Sequence, residues 1–227
     1  MPWRGELAFG DAWIAFRGAS HDNREHAHAA VQVVAGDAVL LHDAAGATHR
    51  GAAWLVPSGV RHRLEPCARL ALLLVEPGSH FARALQRSPV GGIVAAPDAA
   101  TAMLDDGPLS SGVARFADAL GALAHDGDER LALALDAMAR GEGVEAAARR
   151  ATLSPSRLRE LAKRELGVPL ARVVVWRKVR LACRAMQAGA SLAEAAADAG
   201  FADQAHLTRT MAAVIGLTPG EALAAAR

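Results

Sequence analysis

The sequence predicts an α+β fold in which a β-rich amino-terminal part precedes an all-α carboxy-terminal part. Early in the chain, short β-compatible runs such as "AVQVVAG", "AVLLHD" and "RLALLLVEP" are separated by Gly and Pro. From Asp128 onward, apolar residues recur with helical spacing and glycines fall in the gaps between the segments. The charge balance changes as well, from 10 basic and 13 acidic side chains in residues 1–127 to 15 and 11 in residues 128–227.

The overall composition is that of a globular protein. Of 227 residues, 52% are hydrophobic and 22% are charged, and no apolar run approaches the ~18–20 residues that span a membrane. The first residues lack the features of a signal peptide. Cys67 and Cys183 form no CxxC pair. A reduced, cytoplasmic protein without a membrane partner is therefore expected.

The β-rich part is predicted to be a small barrel or sandwich, because its short strands follow each other closely. We place this domain at residues 1–88, ending in a short helix that Ser79 caps. Residues 89–127 contain much Gly and Pro together with the helical run "SGVARFADALGALA". We interpret this range as a helical connection and a possible dimerisation region.

The all-α part, residues 128–227, contains the same arrangement twice. "VEAAARRATLSPSRLRELAKRELG" and "SLAEAAADAGFADQAHLTRTMAAVIG" are each a short Ala-rich helix, a tight turn and a second helix. This is the helix-turn-helix pattern, whose second helix enters the major groove of DNA. The linker "PLARVVVWRKVRLACRAMQ" would be roughly 28 Å long as a helix, close to the ~34 Å turn of DNA. Two reading helices in successive grooves are therefore expected, although Ala-rich helix pairs also occur in ordinary bundles.

This half resembles the AraC-type transcriptional regulators. The resemblance covers residues 128–227 and is most specific in "SLAEAAADAGFADQAHLTRTMAAVIGLTPGEA", with its Gly-Phe, His-x-x-Arg and Gly-x-Thr-Pro elements. It implies double-stranded DNA as a partner, a sensor domain in front and a homodimer. The sequence departs from the family where Glu160 replaces a common Arg, and where Leu207 and Met211 replace common Phe residues.

The predicted DNA contacts come from both reading helices and the linker. Residues 149–184 hold 11 basic residues against two acidic ones, which suits a phosphate backbone, although solvated helix faces are often charged as well. Glu160 can accept from cytosine N4, Gln204 suits adenine, and Arg209 suits guanine or phosphate. The linker residues Arg177, Arg180 and Arg184 are also expected near the backbone. The contact set is Ser156, Arg157, Arg159, Glu160, Lys163, Lys178, Gln204, His206 and Arg209.

The front half resembles a cupin barrel over residues 18–77. "GAAWLVPSGVRH" fits the second cupin motif and ends in His62, and "EHAHAAVQ" supplies the His-x-His of the first motif through His26 and His28, with Gln32 at the usual glutamate position. On a strand, His26 and His28 would face the same side. Three imidazoles and one oxygen suit a divalent first-row metal such as Zn, Ni or Fe. A metal-free pocket with hydrogen-bonding histidines is the alternative.

Together these features predict a sequence-specific DNA-binding transcriptional regulator that is controlled by a small molecule or metal in the cupin-like domain. The prediction is that the protein is not an enzyme. One alternative is a cupin metalloenzyme with a helical appendage. Another is a regulator whose front domain only dimerises.

Overall fold

The front half is built on one antiparallel sheet. The computed structural model of the chain describes residues 4–21, 25–86, 92–121 and 128–225. Within these ranges the strands are β1 (Arg4–Phe9), β2 (Trp13–Ala19), β3 (Val31–Asp43), β4 (Thr48–Val56), β5 (His62–Leu64), β6 (Leu70–Val75) and β7 (Val94–Ala95). The sheet has the strand order β1-β2-β6-β3-β4-β7, and β5 pairs with β3.

The central strand β3 corrects one sequence-based prediction. "AVQVVAG" and "AVLLHD" are not two strands but one strand with an irregularity between Ala35 and Val39. A β-bulge of this kind bends the strand without ending it. Before the bulge β3 pairs with both β6 and β4, and beyond it with β4 and β5.

Both faces of the sheet are covered. On one face, Val33 and Ala35 pack with Phe116 of helix α2 and with Met103 of a 3₁₀ helix. The covering elements are α1 (His80–Leu85), the 3₁₀ helix Asp98–Leu104 and α2 (Leu109–Leu120). Ser79 caps α1 as predicted, accepting a hydrogen bond from the N–H of Ala82. Much of the predicted connection thus packs on the front sheet, while its residues 89–91 and 122–127 lie outside the described part of the chain.

The carboxy-terminal half is helical, as predicted. Its helices are α3 (Glu129–Ala139), α4 (Val144–Arg150), α5 (Pro155–Leu166), α6 (Leu170–Gln187), α7 (Leu192–Asp198), α8 (Gln204–Ile215) and α9 (Pro219–Ala225). Ser154 caps α5, with Pro155 in the first turn, where a missing N–H costs no helical hydrogen bond. Gly167 ends α5 in the left-handed conformation. No helix of the described ranges has both the length and the apolar character needed to cross a membrane.

The two halves share a hydrophobic core. Ile14 and Leu74 of the sheet belong to the same cluster of buried residues as Trp176 of α6 and Leu135 of α3. The approach is close at Gly78, which has a positive φ of 78°, because a Cβ there would lie 2.6 Å from Cδ1 of Leu135. This packing brings the front sheet directly against the helices of the other half.

Candidate functional site

The repeated helix pairs have the same local geometry. The turn between α4 and α5 contains Thr152 with a φ of 54°, and the turn between α7 and α8 contains Gly200 with a φ of 73°. Each turn therefore has one left-handed residue, which redirects the chain from the first helix to the second. Ser191 and Glu194 form a capping box at the start of α7, and Asp203 caps α8 by accepting from the N–H of His206. The structure thus has two helix-turn-helix units joined by the long helix α6.

The first reading helix, α5, presents its predicted residues to solvent. The inner face of α5 is buried and includes Leu158, Leu161 and Ala162. The predicted contact residues of this helix are all exposed: Ser156, Arg157, Arg159, Glu160 and Lys163. Arg157 donates to Glu160 at 3.1 Å, an exposed pair one turn apart. The charge of Glu160 is therefore balanced from within α5.

The second reading helix, α8, is arranged in the same way. Gln204, His206 and Arg209 are exposed, while Leu207 and Met211 are buried. The His206 ring lies edge-on to the ring of Phe201, with centroids 5.3 Å apart. His206 therefore contributes to the packing of the turn as well as to the exposed surface.

The linker helix α6 differs from the prediction at two of its basic residues. Arg177 and Arg180 are not turned toward a DNA backbone, because both are largely buried and bind the carboxylate of Glu76 at 2.5 and 3.2 Å. Burial lowers the pKa of Arg180, and the charge of Glu76 opposes that effect. Half-buried Lys178 donates to the carbonyl oxygen of Gly200 at 2.7 Å, and Arg184 pairs with Asp11.

The three predicted histidines converge at the end of the front sheet. One ligand atom from each of His26, His28 and His62 lies within 4.8 Å of those of the other two. The prediction that His26 and His28 lie on one strand is wrong, because both residues precede β3. A bridge of two backbone hydrogen bonds, both 3.0 Å long, joins His26 to His62. Gln32 does lie on β3, as predicted.

Two of the imidazoles are oriented by backbone carbonyls. Nδ1 of His28 donates to the oxygen of Ala30 at 2.9 Å, and Nδ1 of His62 donates to the oxygen of Val60 at 3.0 Å. Burial lowers the pKa of His28 to about 4 and that of His62 to about 3. Both rings are therefore neutral at pH 7, with Nε2 as an acceptor. Nε2 of His62 is buried and has no partner in the described structure.

The amide of Gln32 completes this group. Its Oε1 lies 2.9 Å from Nε2 of His28, which is an acceptor, and its Nε2 is buried without a described partner. Oxygen and nitrogen of an amide are assigned from the hydrogen-bond network, so the donating arrangement has Nε2 of Gln32 facing His28. The amide oxygen of Gln32 is then the atom that lacks a donor.

The donor set fits the metal that the cupin resemblance implies. A metal-binding histidine usually donates its second ring nitrogen to a carbonyl or carboxylate, and His28 and His62 do so. The unpartnered Nε2 of His62 is the kind of atom that a metal ion would satisfy. His26, His28 and His62 would hold the ion, and Gln32, whose amide lies beside His28, is the fourth residue of the predicted set.

A cavity lies between the histidines and the helical half. Its floor is one face of the sheet, because cross-strand neighbours such as Leu7 and Phe16, or Ile14 and Leu74, stand side by side. Two adjoining chambers of about 50 and 310 Å³ share some of their walls. The residues that line them are Leu7, Phe9, Ile14, Phe16, His26, His28, Gln32, Leu72, Leu74, Cys183, Met186, Gln187, Ile215, Leu217, Ala222 and Leu223.

The helical wall of this cavity was not predicted from the sequence. Cys183 of α6, Ile215 of α8 and Ala222 of α9 face the sheet across the cavity. Their apolar character gave no sign of this, because it is equally typical of a helix buried within its own domain. Glu76 was missed as well, although an acid directly after the apolar run "LALLLV" was a usable signal.

These features define a β-sheet domain joined to a double helix-turn-helix domain. Residues 147–225 match the family model described as "Helix-turn-helix domain". The carboxy-terminal domain is of the AraC type and is the DNA-binding domain of a transcriptional regulator.

Solved structures of ToxT from Vibrio cholerae have the same fold over nearly the whole chain. Wild-type ToxT of strain SCE256 with a bound unsaturated fatty acid is 11% identical, with a TM-score of 0.59, over 95% of this chain and 96% of that one. ToxT of strain O395 is 12% identical, with a TM-score of 0.57, over 94% and 98%. ToxT of O395 bound to (E)-4-(8-methylnaphthalen-1-yl)but-3-enoic acid is 10% identical, with a TM-score of 0.59, over 96% and 100%. A search of curated protein sequences gave no match.

Proposed function

We propose that the protein is a sequence-specific transcriptional regulator whose DNA binding is controlled by a small molecule held in the front half. The reading surfaces are the exposed faces of α5 and α8, with Lys178 of α6 near the phosphate backbone. The protein acts by binding and not by catalysis. The domains are residues 1–88 for sensing, 89–127 for connection and 128–227 for DNA binding.

The observation that supports control by a ligand is the position of the cavity. Its floor belongs to the sheet, whereas Cys183, Ile215 and Ala222 belong to the helical half. A molecule in this space contacts both halves at once and favours the arrangement in which it fits best. Such differential contact is what a ligand needs in order to shift a conformational equilibrium. The ToxT structures with bound carboxylic acids provide a precedent for a small ligand in this fold.

DNA binding can be tested at Arg209. Binding sites are first selected from genomic fragments with the full-length protein, and affinities are then measured by competition gel shift at fixed salt. Arg209→Ala should cost about 1–3 kcal/mol on the selected site, because an arginine that meets a base edge contributes about this much. Arg115→Ala is the matched control, since Arg115 is exposed on α2 in the front half. Equal affinities for all three proteins would contradict the assignment.

A bound metal is a second candidate, favoured by the unpartnered Nε2 of His62. His26, His28 and His62 would hold a first-row divalent ion, which could support the sensor pocket or report its occupancy. The test is elemental analysis after chelator-free purification, repeated on His26→Ala and His62→Ala. Stoichiometric metal that both variants lose would support the site. Metal-free wild-type protein would leave a hydrogen-bonding pocket, while oxygen consumption by an iron form would favour the metalloenzyme alternative.

We further propose that the regulator is a homodimer through its front half. Two-fold pairing would place two copies of the double helix-turn-helix domain on paired half-sites of the DNA. Sedimentation of the full-length protein at tens of micromolar measures this directly. A monomer at that concentration would contradict the proposal without affecting the assignment of the reading helices.

A further inference from the structure

We propose that the cavity takes an uncharged amphiphile, an apolar molecule with a hydroxyl group, in preference to a carboxylate. The inference rests on the proposed role of the cavity as the effector site. It concerns the chemical class of the effector and follows from three features of the described lining: the absence of charged side chains, an unsatisfied acceptor at Gln32 and the shape of the apolar walls.

The first feature is the absence of charge. Among the described residues that line the two chambers there is no Lys, Arg, Asp or Glu. The polar side chains that line the narrow chamber include His26, His28 and Gln32. A carboxylate that entered here would lose its hydration shell and meet no Lys or Arg among the described lining residues, which makes burial of the charged form unfavourable. An uncharged ligand does not carry this penalty.

The second feature is the amide oxygen of Gln32. Gln32 is only 2% exposed and lines the narrow chamber. Nδ1 of His28 donates to the oxygen of Ala30, so Nε2 of the neutral ring accepts. The NH₂ group of Gln32 then faces Nε2, and the Gln32 oxygen is left as an unsatisfied acceptor. A ligand hydroxyl can donate to this oxygen. A carboxylate has only acceptor atoms and would oppose it.

The third feature is the apolar body of the site. From the narrow chamber at Gln32 the lining continues along Leu7 and Phe9 of β1 to Met186 and Leu223 of the helical half. The wide chamber of about 310 Å³ is at the lower end of the ~300–1,000 Å³ range of small-molecule sites. A single apolar chain with its hydroxyl toward Gln32 matches this arrangement.

Three matched ligands test the proposal: decanol, decanoate and decyl methyl ether, which lacks the O–H donor. Binding to the full-length protein is measured by calorimetry at about pH 7.5, where the acid is ionised, with EDTA to remove metal from the histidines. Decanol should bind at least about tenfold more tightly than decanoate and several-fold more tightly than the ether. Decanoate that binds as tightly as decanol would overturn the proposal.

Two variants identify the residue responsible. Gln32→Leu should reduce the preference of decanol over the ether to about unity, because it removes the acceptor. Gln187→Leu is the control, since Gln187 lines the wide chamber and not the narrow one, and it should keep the wild-type preference. A preference that Gln32→Leu leaves intact would place the hydroxyl elsewhere and would also overturn the proposal. If Gln32→Leu does not fold, the comparison of the three ligands on the wild type still decides.

Failure of this inference can be distinguished from failure of the proposed function. Gel shifts with the selected DNA are run with and without decanol. Tight decanol binding without a change in DNA affinity would contradict control by the cavity while supporting the ligand class. If none of the three ligands binds, the ligand class is overturned, and the Arg209 measurement still tests the DNA reader.

Discussion

Nε of Arg177 donates to Oε1 of Glu76 at 2.5 Å and joins the linker helix α6 to the end of strand β6. The other carboxylate oxygen of Glu76 accepts from Arg180 at 3.2 Å. The side chains of Glu76 and Arg177 are only 7% and 12% exposed. Since α6 separates the two helix-turn-helix units, this ion pair links the helix between them to the sheet of the front half.

Loss of this carboxylate should destabilise the protein strongly. Glu76→Ala leaves two largely buried guanidinium groups facing each other without a counter-charge. Removing one partner of a buried ion pair typically costs about 3–5 kcal/mol. We expect a decrease of this size in the free energy of unfolding, measured by urea denaturation.

Asp11→Ala is the matched control for Glu76→Ala. Asp11 also connects the front half to α6, through Arg184 at 3.1 Å, but its side chain is 98% exposed. Exposed ion pairs contribute about 0–1 kcal/mol, so this variant should unfold almost as the wild type does. A similar loss in both variants would mean that the burial of Glu76 is not what makes its ion pair important.

Lys178 is expected to contact phosphate although it already has one partner. Its ammonium group donates to the oxygen of Gly200 and retains two further N–H donors on a half-buried side chain. Lys178→Ala should therefore weaken binding to specific and non-specific DNA alike, and reduce the slope of log affinity against log salt by about 1. Arg69→Ala, at an exposed arginine of the front half, should change neither. An unchanged salt slope together with a lower melting temperature would mean that Lys178 stabilises the turn between α7 and α8 and does not contact phosphate.

The sequence predicted the local features of the fold better than the contacts between its halves. The repeated units around Ser154 and Ser191 were predictable because caps and left-handed turns depend on nearby residues. The convergence of His26, His28 and His62 was predictable from the spacing of the motifs. His26 and His28, however, precede β3 and do not lie on one strand as expected. By contrast, neither the pairing of Glu76 with Arg177 nor the cavity wall at Cys183 follows from local pattern. Both depend on how the two halves dock, over more than a hundred residues of chain.

Glu160 should make the first reading helix bind DNA selectively and not tightly. In the free protein its carboxylate pairs with Arg157, and both side chains are well exposed, so the pair can open at low cost when DNA arrives. The freed carboxylate repels phosphate but can accept from cytosine N4. Glu160→Arg should raise general DNA affinity and change the base preference at one half-site in a binding-site selection. Glu129→Arg is the control, since Glu129 is exposed on α3, outside both helix-turn-helix units. Unchanged affinity and an unchanged selected motif for Glu160→Arg would show that this carboxylate does not face the groove.

The buried histidines should make the stability of the front half sensitive to acid. Burial lowers the pKa of His28 from 6.5 to about 4 and that of His62 from 6.5 to about 3. Between these values and 6.5 the unfolded chain binds more protons than the folded one, so the free energy of unfolding falls as the pH falls. The stabilisation is complete above about pH 6.5 and is progressively lost toward pH 4, with His28 alone contributing about 3 kcal/mol over this interval.

Urea unfolding in EDTA at several pH values measures the slope of the free energy of unfolding against pH. His62→Gln should show a shallower slope than the wild type, while His80→Gln, at an exposed ring on α1, should keep the wild-type slope. Identical slopes in all three proteins would mean that these rings are already protonated, or hydrated, in the folded state.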